Sequence, residues 1–250
     1  MQTTRYLASC NHSLLFVAAR LAMPALIWSL AGAPSGCSEP TDEGSHDAGA
    51  DLVPARCELP FDQRAIDQVS TGVITVAALP GDPTTFTAQV DATAGGSANY
   101  GKNAFVYLDL ITGKKVDVTD VQAEHSGSWD IAFKRWQIKL NGGSSGPGAV
   151  AAAIVADKTL SEVTTAPAGP YARDSFFDAQ CMVLLDAIDG LKTVLSDWYD
   201  YDSGTMRLAP KKQVIVLTRR DQKGHIKVQL TAYYKGTVSA NYALSWSLLP

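Results

Sequence analysis

The chain has 250 residues, with 21 Lys and Arg against 25 Asp and Glu and a formal net charge of −4. Its 46% of hydrophobic residues excludes a wholly disordered chain, and the length allows one or two domains with a self-sufficient core. The mildly acidic balance lacks the broad positive field that nucleic-acid binding needs, and the lack of an apolar run of about 20 residues beyond the N-terminus argues against a polytopic membrane protein.

Residues 1–36 read as a secretory signal. They carry Arg5 and Arg20 but no acid, then an apolar centre from Leu21 to Trp28, then a small-residue exit from Ala31 to Gly36. Cys37 follows Ser35-Gly36, a pattern similar to the lipobox of bacterial lipoproteins, in which cleavage frees the cysteine for lipid attachment. The alternative is plain secretion with Cys37 free. Residues 37–56 hold Glu39, Asp42, Glu43, Asp47 and Asp51 against Arg56, among many Gly, Ala, Ser and Pro. Such a segment cannot offset its ordering entropy, so it reads as a flexible acidic tether that includes a solvated His46. The domain proper is then 57–250. Its two cysteines, Cys57 and Cys181, sit in an exported, oxidising compartment, which suggests a disulfide between them; the alternative is two buried thiols.

The domain alternates with a period of two. Residues 73–76 and 85–90 form a predicted pair joined through Pro80-Gly81-Asp82-Pro83. Phe105–Leu110 is a third strand, with turn chemistry at Thr112–Lys115 leading to Val116 and Val118. Trp129–Leu140 reads as one long central strand running out to solvent, because both parities are apolar at its start and one at its end. Residues 150–156 read as a buried strand or a short helix. Val214–Thr218 and Ile226–Thr231 flank Asp221-Gln222-Lys223-Gly224, the clearest hairpin in the chain. Tyr242, Leu244, Trp246 and Leu248 share one face of a final strand. Phe176–Leu195 is ambiguous: its apolar content suits a helix, but Gly190 and β-branched residues weaken that reading. The fold class is therefore all-β, mainly antiparallel, with one or two short helices.

Chemistry-bearing spacings are scarce. No His-x-x-x-His, Cys-x-x-Cys or Gly-x-Ser-x-Gly occurs, which speaks against a zinc site and a hydrolase elbow. His125 reads as a loop residue, and His225 as facing solvent. Asn141–Gly148 is glycine-rich but has no following Lys, so it reads as close backbone approach between strands rather than a phosphate loop. Trp198-Tyr199-Asp200-Tyr201-Asp202 alternates aromatic and acid, as a strand with one aromatic and one wet face would.

Trp129-Asp130-Ile131-Ala132-Phe133-Lys134-Arg135, followed by Leu140-Asn141-Gly142-Gly143 and Ser145-Gly146, resembles the HmuY family of bacterial haem-binding lipoproteins. Phe105–Leu108 with Thr112-Gly113-Lys114, Trp198–Tyr201, and the run from Val214 to Tyr233-Tyr234 resemble it too, in the family's order over 103–250. The resemblance implies an HmuY-like β fold, a lipid anchor in the outer membrane, iron acquisition and no catalytic residues. It also implies a haem or related tetrapyrrole ligand and an outer-membrane receptor as the next partner. The family's best-known members hold haem iron between two histidines, one before the Trp198-like position and one just after it. The matching stretches here hold Met182 and Met206 instead, and some relatives ligate through methionine. Thioether sulfur is soft and favours Fe(II) haem. The rival reading makes both methionines simple packing residues, Met182 within an apolar run. Tyr199, Tyr201 and Tyr171 would stack on a porphyrin or another flat apolar ligand. A second class of function uses the same scaffold for protein or glycan contacts at the surface, without haem.

Overall fold

The structure is a computed structural model that describes residues 57–60, 63–96 and 98–249. The expected signal 1–36, Cys37 and the tether 37–56 lie outside the described residues.

Two antiparallel sheets enclose the main core. The first has six strands and the second four. In the first, β1 (Ile74–Leu79) and β2 (Asp82–Asp91) form the hairpin expected around Pro80-Gly81. The glycine takes a positive φ there, which the turn requires. β10 (Gln213–Thr218) and β11 (His225–Lys235) form the second expected hairpin, and β12 (Val238–Leu249) pairs with both β11 and β2. Residues 150–156 resolve as strand β7 (Ala152–Ala156), paired with β10. In the second sheet, β3 (Val106–Asp109) pairs with β4 (Lys114–Val116) and β5 (Ile131–Lys134).

Alternation sorts the side chains. Leu108, Ile131, Phe133, Ile138 and Leu140 meet Val90, Ile215, Val228, Leu244 and Trp246 between the sheets. Phe105, Tyr107, Trp129 and Ala132 form a smaller cluster on the opposite face of β3 and β5. β3 and β5 are thus buried on both faces, which explains apolar residues at both parities. Polar ends of core rings still find acceptors: the Trp246 indole donates to the Leu110 carbonyl at 2.9 Å, and the Tyr242 hydroxyl to the Arg135 carbonyl at 2.8 Å.

Three expectations need correction. Trp129–Leu140 is a hairpin, not one strand: β5 turns at Arg135-Trp136 into β6 (Gln137–Leu140), with Lys134 opposite Gln137. The turn carries no Gly, Asn or Asp, so no local signal marks it. Distant partners hold it instead. The Arg135 N–H donates to the Ala92 carbonyl, and the Trp136 carbonyl accepts the Trp198 indole N–H, each at 2.8 Å. Phe176–Leu195 is neither helix nor regular strand. The Asp178 carboxylate accepts the Gln180 and Met182 N–H groups, and the Asp186 carboxylate those of Ile188 and Gly190, so side chains take the donors that a helix would use. Leu248 is exposed, while Leu249 packs with Val163 and Val214 on the outer face of the first sheet. The described α-helix is instead the single turn α1 (Asp120–Ala123), opened by a capping box between Thr119 and Gln122.

The glycine-rich loop does serve close approach. A Cβ on Gly143, which has a positive φ, would stand 2.0 Å from the Asp174 carbonyl oxygen. Asn141 is buried at the centre of this loop: its amide donates to the Ser126 and Trp129 carbonyls and accepts the Gly148 N–H.

Candidate functional site

A separate two-stranded sheet stands on the main body. β8 (Tyr199–Asp202) and β9 (Arg207–Pro210) pair around a turn at 203–206. The Asp202 carboxylate organises that turn by accepting the Gly204 N–H at 2.8 Å and the Thr205 hydroxyl at 2.7 Å. These bonds hold its pKa below the ordinary carboxylate value. At the base of the hairpin, Trp198 is buried and lies 5.1–5.3 Å, ring centre to ring centre, from Tyr199, Tyr233 and Tyr242. This aromatic cluster and the indole bond to Trp136 anchor the hairpin to the core.

Between the hairpin and β11 lies a cleft of about 400 Å³, within the range of small-molecule sites. Tyr233, Tyr234, Leu208 and Arg207 are among its walls. The Tyr234 hydroxyl accepts the Leu208 N–H at 3.2 Å, and the Arg207 guanidinium stacks 3.9 Å above the Tyr234 ring. Two irregularities in the β11–β12 register, between Leu230 and Ala232 and between Ala232 and Tyr234, adjoin this wall. Bulges of this kind re-aim side chains next to sites. Sequence reasoning did not select Tyr233, Tyr234 or Arg207 as site residues. The Tyr-Tyr doublet was visible, but the bulges that present it arise from pairing.

The segment from Phe176 to Leu191 forms a second projection. Bridges Phe177–Val183 and Leu185–Leu191 shape it, and the Cys57–Cys181 disulfide ties it to the start of the domain. The Asp186 carboxylate accepts the Trp136 indole N–H at 3.2 Å, which fixes its far end to the β5–β6 turn.

The two candidate sulfur donors sit on these projections. Met182 is 65% exposed and Met206 76% exposed, so neither fills core as the packing reading had it. Met182 follows Cys181, and its N–H is bonded by Asp178; Met206 closes the 203–206 turn with a positive φ. Neither lines the 400 Å³ cleft. Tyr199 is 9% exposed and packed on Trp198, so it belongs to the anchor and offers no stacking face. Tyr201 is 52% exposed on the free edge of β8. Tyr171 stacks on His225 at 5.2 Å, apart from the hairpin. His125 lies in the loop after α1, so neither described histidine belongs to the two projections.

The architecture is that of an all-β domain that carries two projections and an aromatic cleft. The family model described as HmuY protein matches residues 101–247, and the chain belongs to the HmuY family. Solved structures similar to it include a protein from Bacteroides fragilis described as a lipoprotein, with 19% identity over 66% of this chain and 89% of that one and a TM-score of 0.47. Another, from Bacteroides vulgatus, is described as an HmuY-like haem-binding protein, with 21% identity over 66% and 91% and a TM-score of 0.44. The apo HmuY analogue of Tannerella forsythia is 18% identical over 74% of this chain and all of its own, with a TM-score of 0.46. No curated protein matches the chain.

Proposed function

We propose that this protein is a non-enzymatic haem- or tetrapyrrole-binding lipoprotein of the outer membrane, anchored through Cys37, which hands its cargo to an outer-membrane receptor. Membership of the HmuY family supports the ligand class. The observation that carries the reading is the pair of exposed methionines, Met182 and Met206, one on each projection and neither used by the core. By the resemblance, they stand in the stretches that would correspond to those supplying iron ligands in the family. Asp178 and Asp202 hold both segments through backbone bonds, so the donors are presented on ordered turns. Haem, when bound, would supply an iron that accepts two thioethers, and a thioether pair favours the ferrous state. Tyr234 would offer aromatic contact to the macrocycle, and Arg207 a cation to its acid groups.

The test is a haem titration of the purified protein followed by visible absorption, oxidised and then reduced with dithionite. Saturation at one equivalent with sharp six-coordinate bands in the reduced state is expected. The Met182→Ala, Met206→Ala double variant should lose those bands and bind at least tenfold more weakly. Equal affinity and spectra in the variant would end the ligation reading. Weak, non-saturating changes in both redox states would instead favour surface contacts with protein or glycan. That alternative draws on the exposed edge of β8 at Tyr201, but the burial of Trp198 and Tyr199 removes most of the aromatic patch it would need.

A further inference from the structure

The sulfur of residues 57–250 lies in Cys57, Cys181, Met182 and Met206, because the other methionines are Met1 and Met23 and the other cysteines Cys10 and Cys37. Cys57 and Cys181 are joined in a disulfide, so neither offers a thiolate to an oxidant. Met182 and Met206 both stand open to solvent, one on each projection. The sulfur that a mild oxidant can attack is therefore confined, within the domain, to the two side chains read above as iron ligands.

The chemistry is oxygen transfer from a peroxide. A lone pair on the thioether sulfur attacks a peroxide oxygen and the O–O bond breaks. The sulfur, oxidised by an electron pair, becomes a sulfoxide, and hydrogen peroxide is reduced to water. In a core methionine the new polar group would disrupt packing. Here both side chains are exposed, and the turns that carry them are held through other groups. The Asp178 carboxylate accepts the Met182 N–H at 2.9 Å, and the Asp202 carboxylate accepts the Gly204 N–H and the Thr205 hydroxyl at 2.8 and 2.7 Å. None of these bonds uses sulfur, so the sulfoxides leave the turns standing. They do not leave the donor. A sulfoxide presents a hard oxygen where the thioether presented a soft sulfur, and a hard donor suits ferrous haem poorly.

We propose that Met182 and Met206 are sites of reversible oxidation, at which a peroxide turns off ferrous-haem binding without unfolding the domain. The inference rests on the ligation reading above. Return needs a dithiol as reductant: a methionine sulfoxide reductase removes the oxygen as water, restores the thioether and leaves a disulfide, with one enzyme for each sulfoxide epimer.

The test treats the purified protein with hydrogen peroxide, removes the peroxide, and then reads peptide masses, thermal unfolding and a haem titration under dithionite. The peptides holding Met182 and Met206 should each gain one oxygen. Tm should move by no more than about 2 °C, as for a change at the surface. Ferrous-haem affinity should fall roughly tenfold or more, with loss of the six-coordinate bands. Both methionine sulfoxide reductases, supplied with dithiothreitol, should bring affinity and bands back to those of unoxidised protein given the same reductant. Sulfoxides at both positions with unchanged ferrous-haem affinity would overturn the switch and leave haem binding in place. Methionines that stay unoxidised, or a loss of binding that accompanies a large fall in Tm, would overturn it too. Untreated protein that takes up no ferrous haem would overturn the ligation reading itself, and the switch with it.

Discussion

Asp130 shows how one guanidinium shared by two carboxylates sets their protonation. Arg220 lies 2.8 Å from Asp109 and 3.4 Å from Asp130. Burial alone would raise Asp109, but its bonds from Arg220 and Thr112 hold it below the ordinary value. Asp130 is more deeply buried, and its Oδ1 has no partner among the described residues. Burial pushes it up to about 6, and the attraction of Arg220 does not compensate. A carboxyl raised on folding makes the native state bind more protons than the unfolded one between about pH 4 and pH 6. Its contribution to stability is therefore greatest below pH 4, falls through that window, and leaves a full penalty above pH 6. Asp109 has the opposite sign and loses its contribution in acid. In Asp130→Asn, the stability relative to the unaltered protein should climb from pH 4 to pH 6 by up to about 3 kcal/mol, then level off. Urea unfolding at pH 4, 5, 6 and 7 reads this difference, and a flat line would show Asp130 to be ionised throughout. The sequence displayed Asp109, Asp130 and Arg220, but nothing local placed an arginine 111 and 90 positions downstream against the two acids.

At the scale of elements, the informative case is the turn between β5 and β6. The alternation of Ile131, Phe133, Ile138 and Leu140 is a true strand signal, yet it crosses a reversal of the chain. Arg135-Trp136 turns because Ala92, Tyr242 and Trp198 supply hydrogen-bond partners from elsewhere. Trp198 thereby supports two elements, the turn through its indole N–H and the β8–β9 hairpin through its stacking. Trp198→Ala should cost about 3–5 kcal/mol in urea unfolding, the range for an emptied aromatic core position. It should also loosen the hairpin, read as faster amide exchange at Tyr199–Pro210 than in the core strand β11. A loss confined to global stability, with the hairpin's exchange unchanged relative to β11, would show that the tryptophan does not hold the hairpin. The Asp178 and Asp202 turns make the complementary point: there the local sequence did encode the geometry, through aspartates that bond backbone N–H groups two to four residues on.

Among the described residues, a covalent link of long range ties the domain. Cys57 and Cys181 are 124 positions apart. A loop of that length loses much entropy when closed, so the link constrains the unfolded chain strongly. It also fixes the projection bearing Met182 to the start of the domain. Cys57→Ser with Cys181→Ser should lower unfolding stability by about 2–4 kcal/mol, with dithiothreitol lowering the unaltered protein to the same level. A midpoint unaffected by either treatment would mean that the unfolded chain gains nothing from release.

By itself, the sequence determined the local physics: alternating strands, two glycine-marked hairpins, the close-packed glycine loop and the all-β class, each set by neighbours within a few residues. The motifs at 103–250 also carried the family. Tertiary structure decided what depends on partners far along the chain. It bent Trp129–Leu140 into a hairpin and kept Phe176–Leu195 out of a helix. It exposed Met182 and Met206 while burying Tyr199, and it brought Tyr233, Tyr234 and Arg207 to one cleft. Burial and long-range hydrogen bonds are properties of the packed sheets, and no window of sequence contains them.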